Sequence, residues 1–115
     1  MNEADCIFCK IVAGQIPAHI VHRDETAVAV SDVNPQAPSH LLVMPLRHAA
    51  NIVDFTGSAS PADVAHLFGL AARLGREQQG DGFRMVVNTG PAGGQTVGHL
   101  HIHVLAGRQM HWPPG

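Results

Sequence analysis

Charge is scarce in this 115-residue sequence: Asp, Glu, Lys and Arg make up 14% of it. Lys10 is the one lysine. Seven basic residues against nine acidic ones leave a formal charge of -2, with no basic stripe along the chain. That excludes a long nucleic acid or an anionic membrane as the main partner. A small anionic substrate stays compatible, because one positive pocket can sit on a near-neutral protein. Long apolar runs are also missing; none approaches the roughly 20 residues that cross a bilayer. The opening Met1-Asn2-Glu3-Ala4-Asp5 is acidic and unlike a signal peptide, which predicts a cytoplasmic location. Cysteine is scarce, two residues arranged as Cys6-Ile7-Phe8-Cys9. In a reducing compartment that pair suggests metal or redox chemistry, not a structural disulfide. What remains is an apolar fraction of 45%, enough for one folded domain over residues 1–115. Histidine is the excess, at nine residues.

The local pattern is that of an α+β protein. Residues 6–13 read as a short helix closed by Gly14, and the Ile16-Pro17 step that follows is extended. Residues 20–23 and 27–30 read as strands flanking an Asp24-Glu25 turn, and residues 40–44 as a buried strand ended by Pro45. Asn34, Pro35 and Pro38 mark a loop between them. Ser60-Pro61-Ala62-Asp63 is a helix start: an N-cap, a proline at the first position and an acid in the first turn. Val64, Leu67, Phe68, Ala71 and Leu74 then follow helical spacing, so one face packs on a sheet, and Gly80 and Gly82 end the element. Residues 83–87 read as a strand, 88–98 as a glycine-rich loop and 99–105 as a final strand. Short links between sequence-adjacent strands favour an antiparallel sheet.

The last strand carries the chemistry. In His99-Leu100-His101-Ile102-His103-Val104, side chains alternate between faces, so the three apolar residues enter the core and the histidines share the opposite face. An ordinary wet face mixes Thr, Lys and Glu; three histidines ask for a reason. Neutral imidazole is nucleophilic near pH 7, and a nucleotidyl group on its nitrogen stays labile to water. Histidines two apart on a strand can also share a zinc, and that alternative stays open here. Just upstream, Gly90-Pro91-Ala92-Gly93-Gly94-Gln95-Thr96 is a loop whose amides could converge on a phosphate. It lacks the Lys-Ser/Thr ending of a P-loop and leads into a strand.

These blocks resemble the Hint branch of the histidine-triad (HIT) nucleotide-binding family. The match runs through Asp32-Val33-Asn34-Pro35-Gln36-Ala37-Pro38-Ser39-His40, Arg84-Met85-Val86-Val87-Asn88, Gly93-Gly94-Gln95-Thr96-Val97, the histidine strand and the terminal Gly107-Arg108-Gln109-Met110-His111-Trp112-Pro113-Pro114-Gly115. The resemblance implies a HIT-like fold: a five-stranded antiparallel sheet with one long and one short helix per subunit, as a homodimer with the tail 107–115 at the interface. It implies a purine nucleoside phosphoramidate hydrolase that splits the P–N bond of an AMP conjugate. His101 corresponds to the nucleophile, His103 to the histidine facing the phosphate and leaving group, and His40 to a supporting histidine. Asn88, Gly94, Gln95 and Thr96 match phosphate-contacting positions, and Asp32 with Val33 the ribose and base side. A carboxylate such as Asp32 can accept both ribose hydroxyls, a reading favoured here over the alternative that it caps its own loop. Two positions depart from the pattern: Thr96 stands where serine is common, and Gly98 replaces a larger residue.

A tetrahedral metal site on Cys6 and Cys9 needs two more ligands, and without a third cysteine histidine must supply them. The resemblance implies His48 and His99, which would make the zinc structural and leave His101 and His103 to phosphate, with no cofactor required for catalysis. A thioredoxin-like role fits poorly because no strand precedes the cysteines. The remaining alternative is a pair of buried cysteines acting as small hydrophobes. His66 falls on the polar side of the long helix, His19 and His22 on an exposed early strand, and His111 in the tail. Two rival functions stand beside the hydrolase: a non-catalytic nucleotide-binding or scaffold protein, and a zinc hydrolase with metal on the triad itself.

Overall fold

A computed structural model describes residues 3–78 and 80–115. In chain order these form α1 (Ile7–Val12), β1 (Ile20–Arg23), β2 (Ala27–Ser31), β3 (Ser39–Pro45), α2 (Ile52–Ser58), α3 (Pro61–Glu77), β4 (Phe83–Val86) and β5 (Ile102–Ala106). The strands make one antiparallel sheet in the order β1-β2-β3-β5-β4. The expected α+β sheet is therefore present, with β3 at its centre and β5 beside it.

Alternation along the strands gives each sheet face its own core. Ala27, Ala29, Leu41, Val43, Ile102 and Val104 meet Leu67, Leu70, Ala71 and Leu74 of α3 on one face. The opposite face places Val28, Val30, Leu42 and Met44 against Cys6 and Phe8. α3 starts as its sequence requires: Ser60 accepts from the Asp63 amide at 3.1 Å, and Pro61 opens the helix. The Asp24 carboxylate closes the β1–β2 turn by accepting from the Thr26 and Ala27 amides.

Two features differ from the sequence reading. A second short helix, α2, follows Asn51, whose side chain accepts from the Asp54 amide while Asp54 accepts from the Ala50 amide. Ile52, Val53, Thr56 and Gly57 are weak helix formers, so the caps and the burial of Phe55 hold it in place. The last strand begins at Ile102, not at His99. Its ladder with β3 ends at the Val43–Ile102 pair. Residues 99–101 leave the sheet because their bonds go elsewhere: the Leu100 amide donates to the Ala49 carbonyl at 2.8 Å, and the His99 ring donates to the Pro45 carbonyl at 3.0 Å. The alternation survives the departure, since Leu100 is still in the apolar core.

Candidate active site and metal centre

The histidine face is covered. His99 is 0% exposed and His101 is 7% exposed, because α1 lays Phe8 over both, with ring centroids 5.8 Å and 5.0 Å away. The rings of His101 and His103 lie 5.0 Å apart. A buried imidazole needs partners, and here the partners dictate where each hydrogen sits. His101 Nδ1 lies 2.7 Å from the His99 carbonyl oxygen. A carbonyl only accepts, so Nδ1 carries a hydrogen, and in the neutral ring Nε2 keeps its lone pair.

His103 has the opposite tautomer. The Gln36 amide donates to His40 Nδ1 at 3.0 Å, so the hydrogen of neutral His40 is on Nε2. That Nε2 lies 2.9 Å from His103 Nδ1, which must accept, and His103 is left with its hydrogen on Nε2. Asp32 Oδ2 is 3.4 Å from the same His40 nitrogen. Burial pushes His40 below its ordinary value, with Asp32 opposing. Burial, then the neighbouring His101 and His40, push His103 down to about 4. Both rings are neutral near pH 7. One histidine of the pair thus offers a lone pair and the next a fixed donor.

The loop is built differently from the expectation of converging amides. A Cβ on Gly93 would meet the Thr89 carbonyl oxygen at 2.2 Å, and Gly94 has φ +83°, so both positions need glycine. The Gly94 amide donates to the Pro91 carbonyl and the Gln95 amide to the Gly90 carbonyl, so both are spent inside the loop. The Gln95 side chain is spent as well, on Gly90, Ala50 and Val97. Among the described residues, the Asn88 carboxamide and the Thr96 hydroxyl have no protein hydrogen-bond partner. Asp32 does cap its loop, accepting from the Asn34 amide at 2.8 Å, and Val33 beside it is fully exposed.

The four expected metal ligands meet. Donor atoms of Cys6, Cys9, His48 and His99 all lie within 4.8 Å of one another. His99 Nδ1 is 3.4 Å from Cys6 Sγ and 3.5 Å from Cys9 Sγ, and His48 Nδ1 is 3.3 Å from Cys9 Sγ. Tetrahedral zinc with bonds of 2.0–2.3 Å separates its ligands by roughly 3.3–3.8 Å, so the set fits. The tautomer fits too: His99 gives its Nε2 hydrogen to Pro45, leaving Nδ1 bare toward the sulfurs. Burial pushes the Cys9 thiol up to about 11, with Cys6 adding. A cation bound by both sulfurs would reverse that preference, since the thiolate is the ligand form. The second cluster of possible ligands among the described residues, Asp32, His40 and His103, is already joined internally, His40 to His103 by a hydrogen bond and His40 to Asp32 by the 3.4 Å contact.

One pairing escaped the sequence reading. His22 and His66, from β1 and α3, both approach Asp24 Oδ2, at 2.8 Å and 2.7 Å. They fasten the turn to the long helix, and only the fold brings them together. His19 bonds Ser31, and the His111 carbonyl accepts from Arg84.

The HIT domain family model matches residues 13–110. An uncharacterized HIT-like protein of Synechococcus elongatus is 50% identical over the full length of both chains. A 14 kDa zinc-binding protein of Zea mays is 39% identical, covering 100% of this chain and 91% of that one. Among solved structures, a HIT family hydrolase from Legionella pneumophila superposes with a TM-score of 0.86 at 42% identity, covering 96% of this chain and 100% of the other. This chain belongs to the HIT family.

Proposed function

We propose that the protein hydrolyses purine nucleoside phosphoramidates, splitting the P–N bond of AMP conjugates through a nucleotidyl-His101 intermediate. The observation that carries this reading is the hydrogen bond from His101 Nδ1 to the His99 carbonyl at 2.7 Å, which aims a bare Nε2 lone pair away from the backbone. His101 Nε2 forms a bond to the α-phosphorus as the P–N bond breaks, and the amine departs with a proton taken from water. Neutral His103 donates its Nε2 hydrogen bond to a phosphoryl oxygen; giving that hydrogen up would leave an imidazolate, so its part is electrostatic. Asn88 and Thr96 supply further donors to the phosphate, and Gly94 and Gln95 shape the loop beneath it. Asp32 and Val33 take the ribose and base side. Water then attacks phosphorus, the P–His101 bond breaks, AMP leaves and the proton borrowed in the first step returns to solvent.

This scheme assigns no step to a metal ion. Cys6, Cys9, His48 and His99 would hold a zinc that fixes α1 to the sheet, a structural service. We further propose a cytoplasmic homodimer. β4 is a sheet edge, Phe83 on it is 38% exposed, and Trp112 in the tail is 83% exposed; a second copy would cover such an edge. The rival reading, a binder without turnover, does not call for a histidine with this tautomer.

The test is turnover of a fluorogenic AMP-amide. His101→Asn should lose roughly 10³-fold or more in kcat while still binding AMP, as removal of a covalent nucleophile does. Near-normal turnover by the variant would take His101 out of the mechanism.

A further inference from the structure

We infer that Gln95 is a positioning residue that bolts the loop of residues 90–96 to the segment 48–50, so that the Cys/His cluster sets the order of that loop. The inference rests on the proposed function only in treating this loop as the phosphate loop. All of the Gln95 carboxamide is engaged. Oε1 accepts from the Gly90 amide at 3.0 Å, and Nε2 donates to the Val97 carbonyl at 3.0 Å and the Ala50 carbonyl at 2.7 Å. The Gln95 amide also donates to the Gly90 carbonyl at 3.0 Å, so the neck of the loop is closed twice, once by backbone and once by side chain. No Nε2 hydrogen is left for a phosphate.

What lies across the Ala50 bond gives the brace its purpose. Three consecutive residues meet three parts of the site. His48 Nδ1 faces Cys9 Sγ at 3.3 Å, the Ala49 carbonyl accepts from the Leu100 amide beside His101, and the Ala50 carbonyl holds Gln95. Asn51 then caps α2 and fixes the segment from its other end. A metal held by Cys6, Cys9, His48 and His99 would immobilise residue 48, and the restraint reaches the loop through Ala50 and Gln95. Without the Gln95 side chain the loop keeps its own internal bonds but loses its anchor.

Residue-resolved amide exchange of the full chain reads this directly, on protein loaded with zinc and on the same protein after chelation. The reporter is the Gly94 amide, which bonds the Pro91 carbonyl and not Gln95. In the wild type, removing zinc should speed Gly94 exchange several-fold. In Gln95→Ala, and in the shorter Gln95→Asn should the alanine variant fail to fold, exchange should be roughly tenfold faster with zinc bound and unchanged by chelation, the scale of one lost anchoring bond. AMP affinity should fall only a few-fold. A Gly94 amide indifferent to zinc in the wild type, or a zinc effect that persists in the variants, overturns the inference. So does a large loss of AMP affinity with Gly94 exchange unchanged, which would make Gln95 a direct phosphate contact. None of these readouts uses turnover, so a missing phosphoramidase activity would show separately, in the wild type.

Discussion

The two faces of one sheet divide the labour of this protein. Toward α3, the strands present Ala27, Ala29, Leu41, Val43, Met85, Ile102 and Val104, and the helix answers with its own leucines. Toward α1, the same strands mix Val28, Val30, Leu42 and Met44 with the buried or half-buried rings of His40 and His103, and His101 lies beyond the end of β5. An apolar face needs only shape, whereas a buried imidazole needs a partner for each nitrogen. Those partners are what turn a packing surface into a site with a fixed tautomer at every ring. Stability belongs mainly to the first face and chemistry to the second.

Substitutions can separate the two. The largest effect on stability should come from the α3 face: Ile102→Ala, fully buried in the wild type, should cost about 3 kcal/mol in a denaturant melt. Activity per folded molecule should stay within a few-fold, and a selective loss of kcat would mean that the faces are not separable. Next comes the cluster: Cys6→Ser with Cys9→Ser should abolish zinc binding by elemental analysis and lower Tm by roughly 10 °C, the scale of about 2 kcal/mol in a domain of this size. Zinc content unchanged in that variant would place the metal on the triad.

The smallest effect concerns acid. His103 is held down to about 4 and His40 is lowered from 6.5, in both cases by burial first. The unfolded chain therefore binds more protons in this range. The stability these two neutral rings contribute is complete above about 6.5 and is lost as pH falls toward 4. Tm should drop by several degrees between pH 7 and pH 5, and His103→Asn should show a shallower drop. An equal slope in both proteins would mean that His103 titrates normally.

The sequence reading reached the elements that announce themselves locally. The Ser60-Pro61 start of α3, the alternation of β2 and β3 and the Asp24 turn are all decided by neighbours within a few residues. α2 was invisible because its residues have little helical preference, and only its caps and the burial of Phe55 sustain it. The strand boundary at Ile102 was misplaced because hydrogen bonds to Pro45 and Ala49, some 50 residues away, draw residues 99–101 off the ladder. The family resemblance named the candidate site residues, and the structure brings Cys6, Cys9, His48 and His99 together. The tautomers of the site were not legible, since they depend on the Gln36 amide and the His99 carbonyl. Gln95 matched a phosphate-contacting position, and only its three hydrogen bonds disclose a brace.

The central claim is that His101 bonds covalently to phosphorus. Mixing the enzyme with excess adenosine phosphoramidate, quenching within milliseconds in alkaline denaturant and mapping peptides by mass should find AMP on the peptide carrying His101, at His101 itself. The adduct should form no more slowly than the amine is released and should be absent from His101→Asn. AMP released steadily with no adduct at any quench time, or an adduct on His99 or His103 in its place, would contradict the account.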